Sequence, residues 1–220
     1  MSPLVDSRRI LRYIDSMRAP VSSLQPEDCE AATLAERIIE LVHSDRMSTN
    51  LILLQARDAE EMRAKQSSIW KTFVENRYLR LKHWRREFPD VEFYRTKLDE
   101  NTPTFRLYAF GDVEDDDHKR FYANTHAQYR DFAAGIEELN GMLKLPYCAG
   151  ETVASADLHV GPWLCHAMWG AGCSAIDDFA ALESLVRKSV PSFRIGDNIK
   201  EWWAVMIKRA SFRSVYPELH

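Results

Sequence analysis

Several features that define other classes of protein are missing from this chain of 220 residues. No uninterrupted apolar stretch is long enough to span a bilayer, and the four cysteines show neither a CxxC pair nor a zinc-binding spacing. The 29 Lys and Arg are outnumbered by 33 Asp and Glu, so the net charge of −4 gives no sign of a basic nucleic-acid-binding surface. The first residues, MSPLVDSRRILRYID, lack the apolar core of a signal peptide. We therefore expect a cytoplasmic protein with reduced thiols that binds neither nucleic acid nor membrane.

Familiar catalytic and metal-binding patterns are also missing. The chain has no GxSxG, P-loop or GxGxxG motif, so serine hydrolase, NTPase and Rossmann functions have no support. His159 and His166 are seven residues apart, which is farther than the three or four that separate a helical pair of metal ligands, and no metal site is predicted. Cys148 lies in a segment that we expect to be an exposed loop, but the sequence places no catalytic base beside it.

Apolar residues recur at helical spacing, and glycine and proline are sparse within long stretches. This pattern predicts an all-α protein, a helical bundle of roughly seven helices. Long helices are predicted over residues 60–88 and 118–144, and a fully buried helix over 156–168. Residues 90–117 are predicted to be irregular, with 104–110 as the best candidate for a strand.

The segment Gly150–Asp157, GETVASAD, precedes an apolar helix and resembles a motif of the glutathione S-transferase C-terminal domain. In that motif an aspartate in the first turn, here Asp157, binds the backbone N–H groups that a helix start leaves free. Asp157 also suits the positive end of the helix dipole. The sequence departs from the family at Ala154, where Ser or Thr is usual. Either Ser155 or Thr152 supplies the capping hydroxyl instead, or the cap of this helix is weaker.

A second resemblance to this family lies near the start of the chain. Asp6 to Asp15 is similar to the acidic residue, serine and helix that end the N-terminal thioredoxin-like domain of these transferases. In the family that pair holds the γ-glutamyl end of glutathione, so the resemblance assigns Asp6 and Ser7 to this cofactor. The alternative is that both are ordinary helix N-caps. Residues 209–217 also resemble the tail of a transferase domain, and residues 145–147 resemble fungal members.

The resemblance implies a domain organisation and an activity. Residues 1–20 are expected to be a remnant helix of a thioredoxin-like domain with a linker, and residues 21–220 the helical domain. The βαβ unit, cis-Pro loop and catalytic Tyr, Ser or Cys of a complete transferase would precede Asp6. The implied activity is addition of glutathione to a hydrophobic electrophile, or isomerisation of a double bond by reversible thiol addition, as in fungal secondary-metabolite pathways.

The electrophile pocket in this family is lined by the first long helices of the α domain. The corresponding candidates here are Thr49, Asn50, Trp70, Arg77 and Tyr78. Arg77 falls on the predicted apolar stripe of the first long helix, where a buried charge is costly unless it is paired. It is therefore expected either to bind an anion or to pair with an acid of this chain. Trp70 and Tyr78 either stack on an unsaturated substrate or belong to the core.

Two other classes of function stay open. The α domain of this family also serves as a non-catalytic docking module in translation elongation and synthetase complexes. A cofactor-free isomerase or ligand-binding protein is the third possibility. An exposed apolar face that includes Tyr13, Met17 and Trp70 would favour docking, and it predicts a homodimer or a partner chain that covers this face.

Overall fold

The computed structural model describes residues 6–18, 23–109 and 113–219. Within these ranges all regular structure is helical, and the only β-type pairing is an isolated bridge between Tyr147 and Gly150. In chain order the helices are α1 (Ser7–Arg18), α2 (Cys29–Val42), α3 (Asn50–Leu54), α4 (Ala59–Gln66), α5 (Ile69–Glu87), α6 (Glu92–Ala109), α7 (Asp116–Met142), α8 (Ser155–Ala171), α9 (Ala180–Arg187), α10 (Asp197–Met206) and α11 (Ala210–Val215), with a 3-10 turn at Asp45–Met47. The prediction of an all-α protein is confirmed.

The long helix predicted over residues 60–88 is divided in two. Ser67 follows the end of α4, and the hydroxyl of Ser68 accepts a hydrogen bond from the backbone N–H of Trp70 at 3.2 Å, which caps α5. Serine competes for backbone hydrogen bonds and favours such caps over helix interiors. Apolar residues recur at helical spacing on both sides of Ser67 and Ser68, so the sequence pattern does not reveal the break between α4 and α5.

The prediction that residues 90–117 are irregular is wrong, because most of this segment is α6. The strand candidate begins at Thr104 and lies within α6 as far as Ala109, while Phe110 lies outside the described residues. Pro103 is inside the helix, where proline removes one backbone hydrogen bond. Packing of α6 against α5 offsets that loss, and the ring of Phe105 stacks on Tyr78 at a centroid distance of 3.9 Å.

The described residues form two compact units. The first contains those up to Thr49 together with those from Arg130 onward, and the second is Asn50–Tyr129. The boundary expected between residues 20 and 21 lies outside the described residues.

In the first unit α8 is central and packs against α2 and α9. The largest buried side chains of this unit include Ile38, Phe132, Leu164, Trp202 and Trp203. Burial of each such side chain contributes roughly 2 kcal/mol relative to exposure.

Asp157 holds the start of α8 inside this core. Its carboxylate is fully buried and accepts three hydrogen bonds, from the backbone N–H of Ala154 at 2.8 Å, the backbone N–H of Cys148 at 2.9 Å and the indole N–H of Trp202 at 2.7 Å. The predicted capping role of Asp157 is therefore confirmed. The hydroxyl of Ser155 is buried without a hydrogen-bond partner, so it does not take the place of a capping Ser or Thr at position 154.

Cys148 is fully buried, so the expectation of an exposed loop thiol is wrong. Burial and the neighbouring Asp157 carboxylate both raise the pKa of this thiol well above its ordinary value. A protonated, inaccessible thiol is not a nucleophile.

The second unit has a small core of its own. Ala56, Met62, Val74, Tyr108 and Val113 are buried there, and the Tyr108 hydroxyl donates a hydrogen bond to the carbonyl of Leu54 at 2.7 Å. Helices α5 and α6 pack against each other and leave much of their surface in water.

Candidate functional site

A cleft of about 580 Å³ in the first unit brings together three of the seven histidines of the chain. We call it the histidine cleft and define it by His43, Thr49, His159, Trp163 and His166. Residues 159, 163 and 166 share one face of α8, because positions four and seven apart lie above one another on a helix. His43 and Thr49 follow α2 and the 3-10 turn, respectively.

His43 and His159 form the central pair of the cleft. His43 Nε2 lies 2.8 Å from His159 Nδ1, and the two rings meet edge to face. A hydrogen bond between two ring nitrogens requires one of them to accept, so at least one imidazole is neutral. Burial, followed by the proximity of His43, lowers the pKa of His159 to about 4. His159 is therefore neutral at pH 7.

Two further contacts fix the wall of the cleft. Thr49 Oγ1 lies 2.7 Å from His166 Nδ1, and the Trp163 indole N–H donates to the Met47 carbonyl at 2.7 Å. The second contact ties the 3-10 turn to α8. The remaining ring nitrogens of His43, His159 and His166 make no hydrogen bond with the described part of the chain. They are available to a ligand.

The two residues assigned to glutathione differ in their surroundings. Ser7 lines the histidine cleft. Asp6 caps α1, because one of its carboxylate oxygens accepts from the backbone N–H groups of Arg8 at 2.8 Å and Arg9 at 3.3 Å. The alternative interpretation of Asp6 as an N-cap therefore has structural support.

A pair of arginines on α1 holds this helix to α2. Arg8 and Arg12 both donate to the Glu36 carboxylate, at 3.0 and 2.7 Å. The Arg12 hydrogen bond is the largest influence that lowers the pKa of Glu36. Ser7 thus begins a helix that two ion pairs link to α2.

The residues predicted to bind the electrophile lie mainly in the second unit. Trp70 packs against its core, Asn50 begins α3, and Tyr78 lines a cleft of about 650 Å³. Arg77 is exposed and makes no ion pair with the described residues, so the prediction that it is buried is wrong. The reason is that Val74 is the buried residue of α5, whereas much of the predicted apolar stripe faces water.

The apolar face predicted on the first helix is present. Ile10, Tyr13, Ile14 and Met17 are exposed by 39%, 51%, 47% and 69%. This confirms the expectation for Tyr13 and Met17. Trp70 is only half-buried and belongs to the other unit.

A larger cleft of about 1150 Å³ also lies in the first unit. Apolar side chains form much of its wall, among them Leu158 and Pro162 of α8 with Phe212 and Val215 of α11. Leu158 and Pro162 line the histidine cleft as well, so the two clefts are neighbours. We call the larger one the apolar cleft.

No sequence motif marks the histidine cleft. The seven-residue spacing of His159 and His166 is too long for a pair of metal ligands, but it places both rings on one face of α8. Nothing in the sequence near His43 indicates its contact with His159, which is 116 positions away. In the described ranges no three His, Cys, Asp or Glu side chains are grouped so that they could hold a metal ion.

The fold and the site together define an all-α protein with a polar, histidine-lined cleft beside an apolar one. Of the helices that the structure describes, none combines the length and apolar character needed to cross a membrane. No family model, curated protein or solved structure matches this chain.

Proposed function

We propose that this chain is a glutathione-dependent protein of transferase type, which adds glutathione to a hydrophobic electrophile or isomerises a double bond by reversible thiol addition. The observation that carries the proposal is the convergence of Ser7 with the His43–His159 pair in the histidine cleft. Ser7 is one of the two residues that the resemblance to the transferase family assigns to glutathione. The neighbouring apolar cleft supports a hydrophobic second substrate.

The residues around Ser7 fit a ligand that carries several hydrogen-bonding groups. The volume of about 580 Å³ is within the range of small-molecule sites, roughly 300–1000 Å³. The second ring nitrogens of His43 and His159 are available, whereas Asp6 already accepts two backbone hydrogen bonds. We therefore expect Ser7, rather than Asp6, to contribute most to glutathione binding.

His159 serves in this proposal as a neutral hydrogen-bonding group. Its pKa of about 4 keeps the ring uncharged at pH 7. A base of such low pKa is inefficient at removing the proton of a thiol, whose ordinary pKa is about 8.5. We therefore assign His159 the role of orienting the ligand, with His43 fixing its ring. Bound glutathione supplies the nucleophilic thiol.

Calorimetric titration with glutathione tests the proposal. We expect binding at millimolar concentration, a loss of binding in Ser7→Ala and a weaker affinity in His159→Asn. Ser16→Ala is the matched control, because its hydroxyl lies on the same helix and bonds only the Tyr13 carbonyl. Absence of binding to the unmodified protein, or equal affinity in Ser7→Ala, would refute the proposal.

Docking is the second candidate function, and the exposed face of α1 favours it. Four apolar side chains at positions 10, 13, 14 and 17 form one stripe that no described residue buries. The predicted occupant is a second copy of this chain. Light scattering should then give a dimer that Tyr13→Ser with Met17→Ser converts to a monomer; a monomeric unmodified protein would contradict this role.

A further inference from the structure

A cluster of aromatic side chains lies where α5 ends and α6 begins. The Trp84 and Phe88 ring centroids are 5.6 Å apart, those of Phe88 and Tyr94 are 6.1 Å apart, and those of Phe93 and Tyr94 are 5.5 Å apart. Val91 lies between the two helices in the same turn. We call these five residues the aromatic tip.

The aromatic tip is largely in water. Trp84, Phe88, Val91 and Phe93 are exposed by 39%, 46%, 42% and 59%. Their rings pack against one another rather than in the core of the second unit, which Val74 and Tyr108 occupy. Contiguous apolar surface of this kind is costly in water and marks a place where another surface binds.

The charge around the aromatic tip has the opposite sign to that of the whole chain. Residues 77–95 contain six Lys and Arg and three Asp and Glu, a net charge of +3, whereas the chain as a whole carries −4. Lys97 is not counted because it is paired with Glu100. Glu92 is already paired with Arg95. Arg80, Lys82 and Arg86 are exposed and make no ion pair within the described residues. The cations are therefore available to an anionic partner.

We propose that the aromatic tip binds the surface of anionic lipid bilayers. Aromatic rings and Val91 would lie at the boundary between headgroups and acyl chains, and the flanking arginines and Lys82 would contact anionic headgroups. Exposed aromatic and aliphatic groups rimmed by cations are the combination that interfacial membrane binding requires. Long Arg and Lys side chains reach the headgroups while their stems stay in apolar surroundings.

Two other partners fit the aromatic tip less well. Nucleic acid needs open ring faces on which bases stack, but here Trp84 is nearly parallel to Phe88 and Tyr94, with interplanar angles of 26° and 24°. A second copy of the tip would bring two patches of like charge together, which is unfavourable. The proposal is independent of glutathione binding, because it involves only the second unit. It also differs from the expectation that no membrane is bound, which rested on whole-chain composition.

Vesicle flotation tests the proposal on the full chain. We expect binding to phosphatidylcholine vesicles that contain about a quarter phosphatidylserine, little binding to phosphatidylcholine alone, and weakening as salt is raised. Phe93→Ser should lose most of the binding, whereas Ile69→Ser should keep it. Ile69 is the matched control because it is equally apolar, 71% exposed and at the other end of α5.

The charge contribution is tested separately. Arg80→Gln with Arg86→Gln should lower the vesicle partition constant roughly 25-fold, from about fivefold for each cation. Arg130→Gln with Lys208→Gln is the control with the same change in net charge at exposed positions elsewhere. Circular dichroism of the helices checks that each variant is folded. The salt dependence of vesicle binding is measured on the unmodified protein, so that test does not depend on the folding of any variant.

Three results would overturn the proposal. The first is absence of binding to anionic vesicles at low salt. The second is equal binding by Phe93→Ser or by the double arginine variant when folded. The third is binding of a single-stranded oligonucleotide that these same variants abolish, which would assign the tip to nucleic acid.

Discussion

Lowering the pH should destabilise the first unit through His159. The pKa of this ring falls from 6.5 to about 4 on folding, mainly because the ring is buried. The folded state therefore binds fewer protons than the unfolded state between these two values. Stability that depends on the neutral ring is present above pH 6.5 and is lost as pH falls toward 4.

The magnitude follows from the size of the shift. A pKa lowered by about 2.5 reduces the free energy of unfolding by roughly 3 kcal/mol once the pH is below both the folded and the unfolded pKa of His159. Between pH 7 and about pH 5 the same linkage lowers the free energy of unfolding by about 2 kcal/mol. Although His159 is only 8% exposed, its ring borders the histidine cleft, so solvent screening makes these figures upper values. Protonation would also make both ring nitrogens of His159 donors, so the contact would then require His43 to accept.

Urea denaturation at pH 7 and at about pH 5 measures this loss. Other groups titrate in the same range, so the informative quantity is the difference between the unmodified protein and His159→Asn. Asparagine keeps a polar group near the position of Nδ1 without the ionisation. We expect the variant to lose about 2 kcal/mol less than the unmodified protein between the two pH values. His83→Asn, at an exposed ring of the second unit, is the control for a histidine-to-asparagine change away from the cleft.

Parallel pH dependence of the unmodified protein and His159→Asn would refute this reasoning. It would mean that His159 has nearly the same pKa in both states, and hence that it is not buried as a neutral ring. The neutral role assigned to it in the histidine cleft would then fail as well.

Three further predictions concern the core of the first unit. Asp157→Ala leaves two backbone N–H groups and an indole without an acceptor, and should lower the free energy of unfolding by about 3 kcal/mol or more in chemical denaturation. Cys148 should react with a thiol reagent only on unfolding, whereas Cys29, which is exposed, should react at once; similar rates would contradict the burial. Gly196→Ala would place Cβ 2.2 Å from the Asn140 side chain, which caps α10; we expect a lower melting temperature, and an unchanged one would be contrary evidence.

Local sequence pattern determined the helical class and the start of the central helix. Apolar spacing and sparse glycine indicate helices over most of the chain outside residues 90–117, and the predicted bounds of α7 and α8 are close to those observed. The capping role of Asp157 follows from the resemblance to the transferase motif, and its physical reason is that a helix that begins in a core needs an acceptor for its free N–H groups. These features depend on residues within a few positions of one another.

Tertiary packing decided what the local pattern left open. Apolar spacing defined a stripe on α5, but contact with α6 and the small core decided that Val74 is buried and Arg77 exposed. Pro103 favours irregular structure between residues 90 and 117, yet packing on α5 keeps α6 helical. Propensity is a weak preference of less than about 1 kcal/mol per ordinary residue, which packing routinely overrides.

The candidate site illustrates the same limit. The sequence pointed to Ser7 through a family resemblance, but only the folded chain brings His43 against His159 and Thr49 against His166. These pairs join residues more than a hundred positions apart, so no periodicity or motif records them. What the sequence determines by itself is the short-range hydrogen bonding and apolar spacing of each helix; which distant side chains meet is decided by how those helices pack.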